Sequence, residues 1–416
     1  MSSQFLNHRT FSKDTTHTIL CQILGFLFGI GSSILLNRML GPEGKGRLVA
    51  LLIVPQLVVA FSHMGYGLSS SYFIGKKKFS SGDVFKSDLF LSLIIGSVGA
   101  LIGYFLYLKL FPEESLFFRL TPILLVFTGL WFYYFPDILL GKGKLVIQNY
   151  WNLLQKVVKF ALLFIFLTLF LNKLKGAVSA VVLLNIVFYI STFFILSKVI
   201  SFKGHFNFSY IKEGFGFGHK VFLAELLGFL NYRFDIIFLK LFSTKAQIGF
   251  YSTATFMAET LWLLPGAVSL VLYTKLVTGE KTEEITPKVL KNTFLLIVFG
   301  GLLLLFIAKP LIRIFYTDAF LPAFLPFAIL LPGVVLLAIP KVLASHFAAA
   351  WGKPELILKG RLVSVALNIV LNIILIPKYG MYGAAFASTL AYTVESIFIM
   401  FIFKKERVAQ RYRNFT

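Results

Sequence analysis

The stretch Gly176–Ser197, GAVSAVVLLNIVFYISTFFILS, carries no charge between Lys175 and Lys198. As a helix rising 1.5 Å per residue it is about 33 Å long, enough to cross the roughly 30 Å hydrocarbon core of a bilayer. Working outward from it, apolar runs bounded by charges and by Gly, Pro or Asn recur along the whole chain. They predict spans at 18–37, 48–72, 89–110, 118–140, 150–171, 176–197, 220–242, 248–274, 288–312, 321–350, 359–377 and 381–403. The spans at 48–72 and 321–350 are longer than a crossing needs and hold Pro55, Pro332 and Pro340, so tilts or kinks are expected there.

Composition removes the alternatives. Of 416 residues, 57% are hydrophobic and 14% charged, whereas a soluble domain carries about 25% charged residues. Such a chain cannot cover a globular surface with polar groups, which excludes a soluble enzyme, a disordered tail and a secreted disulfide scaffold. The single cysteine, Cys21, has no partner within the chain. The net charge of +22 would point a soluble protein toward nucleic acid. In a membrane protein it reflects Lys and Arg in short loops facing anionic lipid, and no nucleic-acid partner is expected. With the N-terminus in the cytoplasm, 24 of the 40 Lys and Arg fall in inner segments and 12 in outer ones; Lys156, Lys159, Arg233 and Lys341 lie within spans. This two-to-one bias predicts both termini in the cytoplasm. The first span lacks a small-residue cleavage site after it and reads as a retained anchor.

The two halves resemble each other. LGPEGKG (40–46) precedes span two as STKAQIG (243–249) precedes span eight; GKGKL (141–145) matches GKPEL (352–356); Gly176-Ala177 opens span six as Gly383-Ala384 opens span twelve. Six spans per half make the repeats parallel. The expected fold is therefore an all-α integral membrane protein of about twelve transmembrane helices, in two parallel-repeat six-helix bundles around a central cavity. Residues 1–200 make the first bundle, 201–219 a cytoplasmic linker, 220–403 the second bundle and 404–416 a basic cytoplasmic tail. Rocking of such bundles exposes a midplane site to each side in turn, which is a transporter architecture.

Signatures of chemistry are missing. GPEGKGR (41–47) lacks the Lys-Ser/Thr pair of a P-loop, so no ATP hydrolysis is expected. There is no Gly-x-Ser-x-Gly, no His-Glu-x-x-His and no His/Cys cluster; the six His are scattered. No outer loop exceeds about a dozen residues, too few to house a catalytic or receptor domain. No cofactor or metal is expected, apart from an H⁺ or Na⁺ gradient as a driving force.

An ionisable residue at mid-bilayer costs about 2.5–3.5 kcal/mol even on the mildest scale, so each marks a candidate functional site. Span seven holds Glu225, Arg233 and Asp235 in AELLGFLNYRFD. Glu225 and Arg233, eight apart, share a helix face, while Asp235 lies nearly opposite. Asp235 then pairs with a neighbouring helix or approaches the outer interface. Lys156 and Lys159 share a face of span five, either lining a cavity or snorkelling to inner headgroups. Lys341 in span ten has the same two readings, and Pro340 beside it suggests a broken helix near a cavity. Glu259 and Glu395 are either ion-coupling carboxylates or hydrogen-bonded helix contacts, and Asp137 reads as interfacial. A cavity with several fixed cations attracts a large anion, and the planar fork of Arg suits a diphosphate. Trp131, Tyr133, Tyr134, Tyr150, Trp151, Tyr232, Tyr251 and Trp262 are candidates for stacking on sugars, against an alternative reading as interfacial belt or packing residues.

LNRMLGPEGKGRLVALLIVPQLVVAFSHMGYGLSSSYFIGKK (36–77) resembles the first helical pair of the polysaccharide (O-antigen) flippases of the multidrug/oligosaccharidyl-lipid/polysaccharide (MOP) exporter superfamily. LNYRFDIIFLKLFSTKAQIGFYSTATFMAETLWLLPGAV (230–268) is similar to the start of that family's second bundle. The resemblance implies a flippase moving an undecaprenyl-diphosphate-linked oligosaccharide from inner to outer leaflet by alternating access, with H⁺ or Na⁺ exchange, in a bacterial inner membrane. Its implied partners are the lipid-linked oligosaccharide, membrane lipids and polysaccharide assembly proteins. By position it carries over Arg233 and the outer turn with Arg38, Gly41 and Gly46. The residues themselves add Lys156, Lys159 and Lys341 for the substrate, and Glu225, Glu259 and Asp235 for the ion. Two rivals remain: a multidrug/cation exporter of the same superfamily, favoured by a lumen richer in acids, and a membrane-embedded glycan polymerase or ligase, disfavoured by the short outer loops. A major-facilitator carrier lacks its Gly-x-x-x-Asp-Arg loop here, since 74–83 reads IGKKKFSSGD.

Overall fold

The computed structural model describes residues 8–277, 282–353 and 355–413, and the elements formed by these residues are helices. In chain order they are α1 His8–Ser62, α2 Tyr66–Gly75, α3 Ser81–Leu110, α4 Leu116–Gly141, α5 Leu145–Leu169, α6 Lys173–Val199, α7 Phe208–Phe242, α8 Lys245–Glu259, α9 Leu263–Val277, α10 Thr282–Leu311, α11 Phe324–Leu336, α12 Ala338–Ala349 and α13 Glu355–Arg413. Among the described residues nine helical stretches are long and apolar enough to cross a membrane. Two of these turn on a glycine: Gly41 in α1 (φ 65°) and Gly380 in α13 (φ 53°) are non-helical and divide each into two crossings. With α7, whose polar residues dilute its hydropathy, twelve crossings result. The chain is a multi-pass membrane protein.

Local chemistry sets the helix starts. Ser80 accepts from Asp83 N at 3.0 Å, Asn172 from Lys175 N at 3.1 Å and Thr244 from Gln247 N at 3.3 Å, each satisfying a backbone donor that a helix start leaves open. Proline breaks the long spans less than expected. Pro55 sits inside an uninterrupted stretch of α1; the chain breaks instead at His63–Gly65, where Met64 and Gly65 have φ of 51° and 75°. In the span at 321–350 the helix passes through Pro332 and breaks at Leu337, so that Pro340 falls in the first turn of α12, where its missing N–H costs nothing.

The chain divides into two compact units: 1–39 with 51–222, and 40–50 with 223–416. In the first, Trp131, Tyr134, Phe135 and Ile138 of α4 are fully buried, and Trp131 Nε1 donates to Thr192 Oγ1 of α6 at 2.6 Å. In the second, Val342, Leu343 and Phe347 of α12 pack with Ile399 and Phe403 of α13. Gly333 brings α11 against the backbone of Thr389, where a Cβ would lie 2.7 Å from its Cα. Outward faces are apolar too, with Phe306 86% exposed, as a lipid-facing surface requires.

Two expected boundaries differ. The stretch read as a linker over 201–219 is loop only over 201–207; the rest is the first three turns of α7, and all of it belongs to the first unit. Asn207 caps α7 through Tyr210 N (3.0 Å), and the segment is fastened to α2 and α3. His205 N donates to Asp83 Oδ1 (2.8 Å), Asn207 N to Ser87 Oγ (2.9 Å), Tyr210 Oη to buried Asp88 (2.7 Å), Tyr66 Oη to Ile211 O (3.1 Å) and Ser69 Oγ to Gly214 O (2.7 Å). Gly218 and Gly65 touch backbone to backbone and Gly214 lies against Tyr66 and Ser69, so these two glycines of GFGFG strip one helix face for α2, while Gly216 faces open space. Likewise the tail at 404–416 begins as helix, because α13 runs on to Arg413.

Candidate functional site

Most of the predicted charges in the second unit converge. Arg233 of α7 grips Glu259 at the end of α8 through both guanidinium nitrogens, Nη1–Oε1 at 2.6 Å and Nη2–Oε2 at 2.8 Å. The side chains are 33% and 19% exposed. This fork is the geometry Arg makes with a carboxylate. The positive charge of Arg233 is thus met by Glu259. Lys341 is held differently. Its Nζ lies 4.2 Å from the Trp262 ring and 5.2 Å from that of Tyr232, with no ion-pair partner among the described residues. Trp262 Nε1 donates to Val334 O (3.0 Å) and Tyr232 packs on Trp262 with centroids 5.1 Å apart, which fixes both rings.

Arg361 was missed as a site residue because it stands in the first turns of span eleven, where a basic residue reads as a loop charge. Its Nη1 donates to Ala224 O of α7 at 2.6 Å, and its charge acts on Glu225, which is exposed, and on buried Glu395. The signal was present in the spacing: Arg361, Ser364, Asn368 and Asn372 recur every three or four residues and form a polar stripe on an otherwise apolar helix. Asn231 joins the stripe to α7, donating to Ser364 Oγ (2.9 Å) and to Glu395 Oε2 (3.1 Å).

Asp235 takes the first of the two places open to it, pairing with neighbouring helices. Tyr251 Oη of α8 donates to its Oδ2, and Ser388 Oγ of α13 lies 3.4 Å from the same oxygen. Asp235 is 1% exposed and its Oδ1 has no hydrogen-bond partner; Asn231 Oδ1 and Asn372 Oδ1 are likewise buried without one. Asn372 donates to Asn368 (2.8 Å), which reaches Ser388 (3.4 Å), so a chain of polar groups runs from Asn372 to Asp235. A buried acceptor left unpaired costs about 1–3 kcal/mol.

In the first unit, Lys156 and Lys159 are exposed on α5 with Asn152 on the same face. The stem of Lys156 lies along α1, where a Cβ on Gly25 would come within 2.8 Å of its Cδ. In the outer turn, Arg38 is exposed, Gly41 makes the left-handed bend, and Gly46 meets the Lys245 carbonyl while Gly249 meets that of Pro42. The two repeat-related glycines thus sit against each other's helix start.

A family model for polysaccharide biosynthesis proteins matches residues 11–269. The chain belongs to that family. Its similarity to individual members is low: a probable low-salt glycan biosynthesis flippase of Haloferax volcanii is 23% identical over 208 residues, 49% of this chain and 44% of that protein. The chain thus matches less than half the length of that relative. Among solved structures, the lipid II flippase MurJ in an inward closed conformation superposes with a TM-score of 0.76 at 17% identity, covering 93% of this chain and 87% of that one. An inward-facing multidrug resistance MATE transporter of the MOP superfamily gives 0.73 at 15%, covering 93% and 95%. This family member therefore has the fold of MOP transporters.

Proposed function

We propose that the chain is a flippase, a transporter rather than an enzyme, that moves an undecaprenyl-diphosphate-linked oligosaccharide of the O-antigen type from the inner to the outer leaflet. It works by alternating access in a bacterial inner membrane with both termini in the cytoplasm. The observation that carries this reading is Lys341: an ammonium held over two aromatic rings, with no ion-pair partner among the described residues, inside a polysaccharide-biosynthesis family member. Lys341 and Arg361 bind phosphate oxygens, Arg233 with Glu259 shapes the wall beside them, and Trp262 and Tyr232 offer flat faces to sugar. Lys156 and Lys159, exposed on α5, are the basic pair that the first unit offers to the same kind of ligand. Membrane lipids and polysaccharide assembly proteins complete the partners.

The decisive experiment is complementation of a strain lacking its glycan flippase. Export of lipid-linked units is the expected result; their continued accumulation on the inner side defeats the assignment. Lys341→Ala is expected to lower export about tenfold or more, the loss of one charge-assisted contact of roughly 1.4 kcal/mol.

A proton or Na⁺ gradient drives the cycle through Asp235. Its support is the set of unpaired buried oxygens on Asp235, Asn231 and Asn372, hard donors of the kind that a small cation or proton satisfies. Asp235→Asn keeps shape and removes charge. Export by this variant is expected to lose its response to the ion gradient, while the protein stays folded; a response equal to wild type removes Asp235 from coupling. Glu259 is tied to Arg233 and Glu225 lies beside Arg361, so both rank behind Asp235 for this role.

One observation favours the rival multidrug/cation exporter. Around the cluster Glu225, Asp235, Glu259 and Glu395 outnumber Arg233, Lys341 and Arg361. Arg233 cancels one of those acids, Glu259, while Tyr251 and Asn231 hydrogen-bond Asp235 and Glu395 without neutralising them, so the acids keep a surplus of one. Drug resistance conferred without glycan export decides for the rival.

A further inference from the structure

Two adjoining grooves run along the second unit between α10, α12 and α13, with volumes of about 380 and 300 Å³. They share Ile339, Met400 and Lys404, so they form one continuous furrow. Its two long walls have the same order of side chains. On α13, Ile397, Met400 and Phe401 give apolar surface for one turn, followed by Lys404 and Arg407; on α10, Phe294 lies one turn inside Lys291. Among its described lining residues the first groove has three cations, Lys291, Lys404 and Arg407. Outward exposure of Ile397 and Phe401, at 64% and 63%, opens the apolar end to lipid.

We infer that this furrow is a binding site for a resident anionic phospholipid, distinct from any transported lipid: phosphate at the exposed Lys291 and Lys404, one acyl chain along Met400 and Ile397. Neither the repeat nor the substrate cluster accounts for this pattern. A bilayer offers many apolar chains, but only a headgroup with net negative charge matches a mouth lined by three cations on two helices. Basic pockets between transmembrane helices bind lipid headgroups by this same pairing. Positive charge at this end places the site at the cytoplasmic leaflet. The bound lipid staples the start of α10 to the end of α13.

The test is native mass spectrometry of the purified full chain offered equal amounts of phosphatidylglycerol and phosphatidylcholine. Each lysine near a membrane surface adds about fivefold to anionic-lipid affinity. Wild type is expected to retain phosphatidylglycerol at least fivefold over phosphatidylcholine on that basis. The double variant K291Q/K404Q is expected to lose the preference, and K76Q/K77Q, in the basic turn of the first unit, to keep it. Lys291 and Lys404 are both exposed, so folding is not at stake; Lys404→Glu alone provides a second reading, and a melting temperature raised by phosphatidylglycerol in wild type only provides a third. Equal retention of the two lipids by wild type overturns the proposal. So does a preference that survives K291Q/K404Q, or retention of a polyprenyl diphosphate in place of phosphatidylglycerol.

Discussion

Arg233→Ala is expected to bring glycan export down to the level of cells lacking the protein. Two effects add. The variant leaves Glu259, 19% exposed, without the bidentate partner that neutralises it, and opening a buried pair costs about 3–5 kcal/mol, reduced here by the partial exposure of both groups. It also returns a net negative charge to the wall beside Lys341, where an anionic substrate is to bind. The double variant Arg233→Ala with Glu259→Gln separates the two. Its melting temperature is expected to recover toward wild type, because no bare carboxylate remains, while export stays lost if Arg233 also contacts the diphosphate. Recovery of both would make the pair purely architectural. Arg233→Lys keeps the charge but gives up the planar fork, and an intermediate export rate is expected.

Gly46→Val has the largest expected effect on folding. A Cβ at Gly46 would overlap the Lys245 carbonyl and come within 2.8 Å of Gly249 N. These are backbone atoms at a helix start and cannot swing aside as the tip of a side chain can. Overpacking ordinarily costs about 1–3 kcal/mol, and this backbone clash is expected to exceed that range. Gly249→Val should behave alike, since its own Cβ would strike Pro42 O. Gly29→Ala is the control: nothing lies within 4 Å of its would-be Cβ, and alanine improves a helix interior by about 0.5–1 kcal/mol. Yield of monodisperse protein and its melting temperature check all three. A Gly46→Val protein as stable as wild type would refute the close approach.

The crossings were legible because a bilayer enforces length and apolarity on each one, as in 176–197. The repeat was legible through glycines, whose reason the structure supplies: 46 and 249 match in sequence because they match in contact. Less legible were features set by partners distant in the chain. Nothing in the neighbourhood of Pro55 says that the helix will run through it and break at His63–Gly65 instead. Arg361 looked like a loop charge until its reach to Ala224 was seen, and Arg233 looked like a free cation because its acid lies 26 residues away on another helix. Asp235 was correctly set on a different face from Arg233 by helical geometry, yet its hydroxyl partners Tyr251 and Ser388 could not be named from spacing. The helical start of α7 within 201–219 was not legible for a compositional reason: a glycine-rich stretch signals either freedom or intimate contact, and only the facing α2 decides which.

That fastened stretch has a mechanical corollary. A slack tether would have no fixed path, whereas residues 205–218 are bolted to α2 and α3 by their own backbone and side chains. Such a seam behaves like a rivet line: bulk added at Gly218, which meets the Gly65 carbonyl, should pry the start of α7 off α2 and be felt at the Lys78–Glu213 pair beside it.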